Sequence, residues 1–205
     1  MPTAPSLAAD FEHMFDLAPV SLWLEDFSAV RSLLERWRAQ GVTDVAAFLR
    51  EHPDRVHEYG SAIRVLKVNQ RSLVLFGAAD QATLVASLDH VFRDDMFESV
   101  LAEVSQLWSG ALEFANQTVN YALDGRRLDV FIRGRILPGH EANWDRVLVS
   151  LEDNTQEQQA RLLLQHSERQ ARLLFEHSPV SLWVEDFSAV KRLLDQIREG
   201  GMVDM

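Results

Sequence analysis

The chain has 205 residues, 47% of them hydrophobic, and carries 20 lysines and arginines against 31 aspartates and glutamates for a formal charge of −11. That is long enough to bury a core without metal or disulfide staples, and the acidic surplus argues against a phosphate-backbone or anionic-membrane partner. With no cysteine, a disulfide framework, a thiolate metal site and cysteine chemistry are excluded within these residues.

Leu7, Phe11, Met14, Phe15 and Ala18 recur at helical spacing, so the chain opens with an amphipathic helix that Pro19 ends. "VSLWLEDF" alternates Val20, Leu22 and Leu24 and reads as a strand. Val30, Leu33, Leu34 and Trp37 mark a helix closed by Gly41, and Thr43 is placed to cap a short second helix carrying Val45, Phe48 and Leu49. A third helix is expected from Pro53 to about Ile63. "RVLKVN" is a short strand, and "QRSLVLFGA" a helical turn stopped by Gly77. Asp80 is placed to cap a helix to about Leu88. Asp94 or Asp95 opens a longer one whose apolar face is Met96, Val100, Leu101, Val104, Leu107 and Trp108, ended by Gly110.

The period then changes. "ALEFANQTVNYAL" and "RRLDVFIRGRIL" flank Asp124-Gly125, a tight-hairpin signal, with an ambiguous phase and a bulge expected between Asn116 and Tyr121. Leu128, Val130 and Ile132 share one face of the second strand and Phe131 the other, so both faces need cover. The internal helices cover one. The N-terminal helix or a second subunit is expected to cover the other. Val147, Val149 and Leu151 alternate in a last strand. This order of elements predicts an α+β domain with helices gathered on one face of a small antiparallel sheet.

The sequence also repeats itself. "PVSLWLEDFSAV" from Pro19 returns as "PVSLWVEDFSAV" from Pro179, and the same offset of 160 pairs Phe15 with Phe175, Leu33 with Leu193, Gly41 with Gly201 and Asp44 with Asp204. A repeat this long is a domain with its connector rather than a solenoid unit. The chain is therefore expected to be a piece of a longer tandem array, divided into an N-terminal helix (1–18), a folded domain (19–155) with a helical insertion (28–63), a connector (156–177) and the start of a second unit (178–205), with any output activity beyond Met205. The connector places Glu157, Ala160, Leu164, Ser167, Ala171 and Leu174 on a heptad seam. It reads either as a coiled coil or as a helix packed on its own domain. Thr155-Gln156-Glu157-Gln158 fits a capping box at its start.

"VLKVNQRSLVLFGA", the helix ending "LWSG", the turn "LDGRR" and the last strand "RVLVSLEDNT" together resemble the PAS family of sensory domains, over roughly Phe11 to Gln158. The resemblance implies a fold that binds a small ligand or presents a dimer surface and biases an attached effector, with Asp153, Thr155 and Gln158 as the relay junction. It suggests a diguanylate-type cyclase or a histidine kinase as that effector. The insertion from Ser28 to Ile63 departs from the family pattern.

An organic ligand would lie against Met96, Val100 and Val104 of the long helix, with Asn120, Tyr121 or Arg133 as polar anchors; the alternative is that the apolar residues are core and the polar ones face water. His13, His52, His57, His90, His140 and His177 show no i, i+4 pairing, so no metal is expected. The long helix lacks a histidine for haem, and a cysteinyl-flavin adduct has no cysteine; the cofactor stays unknown. His166 lacks the acidic and proline context of a kinase phosphoacceptor. The resulting expectation is a cytoplasmic, non-enzymatic sensory module that dimerises through its terminal helices and binds neither nucleic acid nor membrane. The alternative is a dimerisation scaffold with no ligand. A stand-alone enzyme would need an inward strand carboxylate, and Asp129 alternates away from the core face. The second "VSLWVEDF" is expected to be loosely held rather than exchanged into a neighbour's sheet.

Overall fold

The computed structural model describes residues 7–93, 96–176 and 185–199, in two compact units, Met1–Gln158 and Gln159–Met205. In the first unit the alternating segments become β1 (Ser21–Asp26), β2 (Arg64–Val68), β3 (Glu113–Tyr121), β4 (Arg127–Ile136) and β5 (Val147–Asp153). They form one antiparallel sheet in the order β2-β1-β5-β4-β3, so the first and last strands lie side by side. Helices α1 (Leu7–Asp16), α2 (Ser28–Ala39), α3 (Val45–Glu51), α4 (Asp54–Ser61), α5 (Gln70–Phe76), α6 (Gln81–Ala86), α7 (Leu88–Val91) and α8 (Phe97–Trp108) complete the expected α+β architecture.

Alternation decides which side chains reach the core. Ser21, Trp23 and Glu25 of β1, Leu128, Val130 and Ile136 of β4, and Val147, Val149 and Leu151 of β5 are buried on the face that α5 and α8 pack against. Trp23 meets Phe76 edge-on at 5.7 Å. Burying each such ring stabilises the fold by roughly 1.5–3 kcal/mol. Val30, Leu33, Leu34 and Trp37 bring the inserted helix α2 into the same core.

Asn69 joins the two ends of this layer. Its Oδ1 accepts from the backbone N–H groups of Leu22 and Ser72, at 3.0 Å each, and its Nδ2 donates to the carbonyls of Phe15 at 3.1 Å and Val20 at 2.8 Å. One buried side chain thus caps α5, ties it to β1 and holds the chain where α1 ends. Lys67 adds ion pairs to Glu12 and Asp16, so α1 is fastened at the β2 edge. Leu22, Leu24, Phe131 and Leu148 are half-buried on the opposite sheet face.

Local details depart from expectation where side-chain chemistry outranks spacing. Asp44, not Thr43, caps α3, accepting from the N–H of Ala47, because a carboxylate is the stronger acceptor. The helix begun at Asp80 breaks at Ser87 into α6 and α7. The bulge falls between Leu24 and Glu25, against β2, whereas β3 pairs with β4 in unbroken register from Glu113 to Tyr121. Gly77, at φ 69°, supplies the left-handed stop of α5, and Gly125, at φ 87°, the hairpin turn. Asp94 and Asp95 lie outside the described residues.

Helix α9 (Thr155–Glu176) leads into the second unit, which also contains α10 (Ser188–Glu199). Ala160, Leu164, Ser167 and Ala171 of the predicted seam are exposed; the side chain of Leu174 lies outside the described residues. So do His177 and the first residues of the predicted second strand, through Val184, while Glu185–Phe187 are not in a strand and lead into α10. Among the described residues no helix is long and apolar enough to cross a membrane.

Candidate functional site

The regular β3 register settles the phase left open by the sequence. Phe114, Asn116, Thr118 and Asn120 stand on one face, opposite Gly134, Ile132, Val130 and Leu128 of β4. A strand at the edge of the sheet therefore turns three polar side chains in succession toward an apolar core. Asn120 is 1% exposed and Thr118 6%. The Ser99 hydroxyl of α8 donates to Asn116 Oδ1 at 2.7 Å. Asn116 Nδ2, Thr118 Oγ and both Oδ1 and Nδ2 of Asn120 have no hydrogen-bond partner among the described residues. Leaving such groups dry costs about 1–3 kcal/mol each, so buried polar atoms are met by protein, water or ligand. The row offers two amide donors, an amide acceptor and a hydroxyl.

Helix α8, which packs against β3, carries the fully buried Val104 and the half-buried Val100, and half-buried Met96 immediately precedes it. The structure thus brings three of the six predicted ligand residues, Val100, Val104 and Asn120, to the side of the sheet that α8 covers. Arg133 is a correction: it is exposed on the opposite face, stacked near the ring of Phe131. Tyr121 alternates with Asn120 and so turns from the row; the Arg93 guanidinium lies 3.9 Å from its ring centre. Thr118 and Asn116 were missed, although their places two and four residues before Asn120 were the signal.

The relay junction is built differently from a capping box. Thr155 Oγ accepts from the backbone N–H of Asp129 at 2.9 Å and donates to Asp153 Oδ1 at 2.6 Å, while Asp153 Oδ1 also accepts from the Thr155 N–H. The threonine therefore fastens the start of α9 to β4 and β5 instead of capping the helix from outside. The Gln158 N–H bonds to the Asn154 carbonyl.

A second polar group sits elsewhere in the interior. Glu25 of β1 and Glu103 of α8 are 8% and 7% exposed, and the Tyr59 hydroxyl of α4 donates to Glu103 Oε1 at 2.5 Å. Burial pushes Glu25 up to about 8, with the charge of Glu103 adding to it, and burial pushes Glu103 up to about 7 against the Tyr59 hydrogen bond. Burial first, then the Glu103 charge, raises the Tyr59 phenol well above its usual value. These two buried carboxyls therefore influence one another electrostatically. Glu25 is in phase with Trp23, and Glu103 is in phase with Val100 and Leu107, so periodicity held the signal. The inward strand carboxylate is Glu25; Asp129 pairs with Arg127 at 2.9 Å.

A cleft of about 200 Å³ opens at the other end of the sheet, lined by Leu34, Arg38, Leu107, Leu112, Glu141 and Trp144 among others. Its cations are engaged: Arg31 donates to the Glu141 and Ala142 carbonyls, and Arg38 to the Trp108 carbonyl while stacking on that ring.

No family model matches the chain, and no curated protein matches it. Solved structures that it resembles are PAS domains. One, in complex with ethanol, comes from a LuxR-family transcriptional regulator of Burkholderia thailandensis: 16% identity, 71% of this chain and 98% of that one covered, TM-score 0.45. Another comes from Colwellia psychrerythraea, with 10% identity, coverage of 72% and 97%, and a TM-score of 0.47. A third belongs to the fruit-fly ELK potassium channel, with 10% identity, coverage of 73% and 98%, and a TM-score of 0.43.

Proposed function

We propose that the first unit is a PAS-like sensory module in which a small, uncharged polar molecule engages Asn116, Thr118 and Asn120 and biases a downstream effector through the Asp153–Thr155 junction and α9. The observation that carries this reading is Asn120, almost fully buried with neither end of its amide partnered among the described residues. An amide placed so has no structural return unless something complementary meets it. The row itself contributes only neutral donors and acceptors, which suits a neutral ligand. Ser99 links the row to α8, and β4 links it to Asp129, where Thr155 is fastened. On this reading the effector, a cyclase or a kinase, belongs to the parent protein outside these residues, and this segment has no enzymatic role of its own.

Native mass spectrometry of the purified chain tests it. A stoichiometric mass of a few hundred daltons is expected with the wild type and not with Asn120→Leu. A wild type that carries no such mass, and that gains no stability from any member of a neutral polar ligand panel, overturns the reading. A second reading, a dimerising scaffold, is favoured by the exposure of Leu162, Leu163 and Leu164 on α9. It predicts a tight dimer without added mass, weakened by Leu164→Glu.

A further inference from the structure

Three elements distant in sequence meet at the Tyr59, Glu103 and Glu25 cluster: the inserted helix α4, the long helix α8 and the strand β1. Tyr59 is held at Glu103, and Glu25, buried on β1, feels the charge of Glu103. We propose that this cluster is a proton-operated latch, in which a proton held on one of the two buried carboxyls, Glu25 or Glu103, keeps the insertion clamped to the sheet and its loss lets α4 open to water.

The charged groups around the cluster are all turned elsewhere. On β1, Asp26 faces Arg64 of β2 and the N–H of Ser28. On α4, Glu58 pairs with Arg36 of α2 and with Arg55, and His57 is exposed. On α8, Glu98 pairs with Arg50 of α3, whose neighbour His52 is exposed against Phe48. Arg38 of α2 is spent on the Trp108 carbonyl, and Asp145 in the β4–β5 loop pairs with His140. No cation among the described residues compensates either glutamate. Two carboxylates in one buried site cannot both ionise without separating or admitting water. The Tyr59 hydroxyl can stabilise one carboxylate, Glu103, so a single proton on Glu25 is enough to keep the cluster closed. Once that proton leaves, the elements free to yield are those with least support: α4 is an eight-residue helix with Tyr59 as its buried residue, whereas β1 is hydrogen-bonded on both sides.

The latch also touches the β3 row through α8. Glu103 and Ser99 are four residues apart on that helix and so share a face, and Ser99 holds Asn116. The latch stands on its own geometry, independent of any ligand for the row.

The raised carboxyls define the window. Protonation of both groups favours the folded, latched form, so the latch is closed at and below neutral pH and opens as pH rises through the 7–8 region. Hydrogen exchange of the full 205-residue chain between pH 6 and 9, with intrinsic rates divided out, reads it directly. Protection of α4 amides is expected to fall at least tenfold more than that of β5, and Glu25→Gln, which cannot ionise, is expected to abolish the difference. Side-chain carbon NMR gives a variant-free check: Glu25 and Glu103 titrating together above pH 6 supports the latch, and both titrating near 4.5 overturns it. It is equally overturned if α4 protection follows β5 across the range, or if Glu25→Gln leaves the excess loss unchanged.

Discussion

Two asparagines, Asn69 and Asn120, are 0% and 1% exposed and behave oppositely by construction. Asn69 satisfies donors and acceptors on three elements, whereas neither end of the Asn120 amide has a partner among the described residues. Replacement by leucine keeps the volume nearly constant and removes the polar atoms, so the two variants separate a structural amide from a functional one. At Asn69 the change strands the Leu22 N–H and the Val20 carbonyl, and leaves the Ser72 N–H and the Phe15 carbonyl with only their backbone bonds to the Asn69 carbonyl and the Ala18 N–H. At about 1–3 kcal/mol for each buried group left unmet, less whatever water reaches them, a loss on the order of 3–5 kcal/mol is expected. At Asn120 nothing among the described residues is stranded, and two unmet atoms are removed. The ligand-free chain is therefore expected to gain about 1–3 kcal/mol, or roughly 2–12 °C in Tm at the 2–4 °C per kcal/mol usual for this size.

Urea titration read by tryptophan fluorescence suits both variants, because Trp23 and Trp37 are buried in the same core. Midpoints should move in opposite directions with unchanged slopes. A stabilised Asn120→Leu that has also lost its co-purified mass would show the trade of stability for function expected of a binding site. If Asn120→Leu lowered the midpoint as far as Asn69→Leu, the β3 row would be packing rather than a site, and the functional proposal would lose its support.

Other expectations rest on single contacts. A methyl added at Gly134 overlaps the Phe114 ring, which stacks on Phe27; Gly134→Ala should cost about 1–3 kcal/mol alone and almost nothing in a Phe114→Ala background, a coupling measurable by a double-mutant cycle. Thr155→Val removes the hydroxyl that joins Asp129 to Asp153, and should speed exchange of the Asp129 amide severalfold while leaving α5 amides unchanged. Because Glu25 and Glu103 are raised from 4.5 to about 8 and about 7, the stability they lend is greatest below pH 4.5 and is lost as pH climbs to about 8. At ~1.4 kcal/mol for each tenfold change in proton affinity the loss amounts to several kcal/mol; Asp26 and Asp80, lowered from 3.8, act only in more acidic solution. Denaturation midpoints that stayed flat from pH 5 to 8 would contradict this assignment.

Much of the fold was legible because its signals are local. The Asp124-Gly125 turn, the Gly77 stop and the alternation at Val147, Val149 and Leu151 each depend on a few neighbouring residues. The strand order was not, since it is fixed by which edges meet across the core. The site was half legible for the same reason. Asn120 could be proposed from its neighbours, but its phase needed the β4 register, and Arg133 was misplaced because a strand with bulk on both faces does not declare which one is inward. Glu103 was passed over because an acidic residue interrupting an apolar stripe reads as solvent-facing until Tyr59 is seen beside it.

The internal repeat separates local from tertiary causes within one chain. Asp26 Oδ1 accepts from the Ser28 N–H at 2.9 Å at the start of α2, and Asp186 Oδ1 accepts from the Ser188 N–H at 2.8 Å at the start of α10. The same residues thus build the same cap twice. Beyond the cap the copies diverge: Val30, Leu33, Leu34 and Trp37 are at most 2% exposed, whereas Val190, Leu193, Leu194 and Ile197 are 43–60% exposed. A helix of this length is marginal without tertiary burial, and capping adds only about 1 kcal/mol. The α2 amides should therefore exchange only through opening of the core, and those of α10 at least a hundredfold faster, in one hydrogen-exchange experiment on the whole chain. The near-identical "SAV" starts keep intrinsic rates comparable. Equal protection of the two helices would mean that α10 has found a seat of its own, and strong protection of 180–187 alongside it would favour strand exchange between molecules over a loosely held second copy.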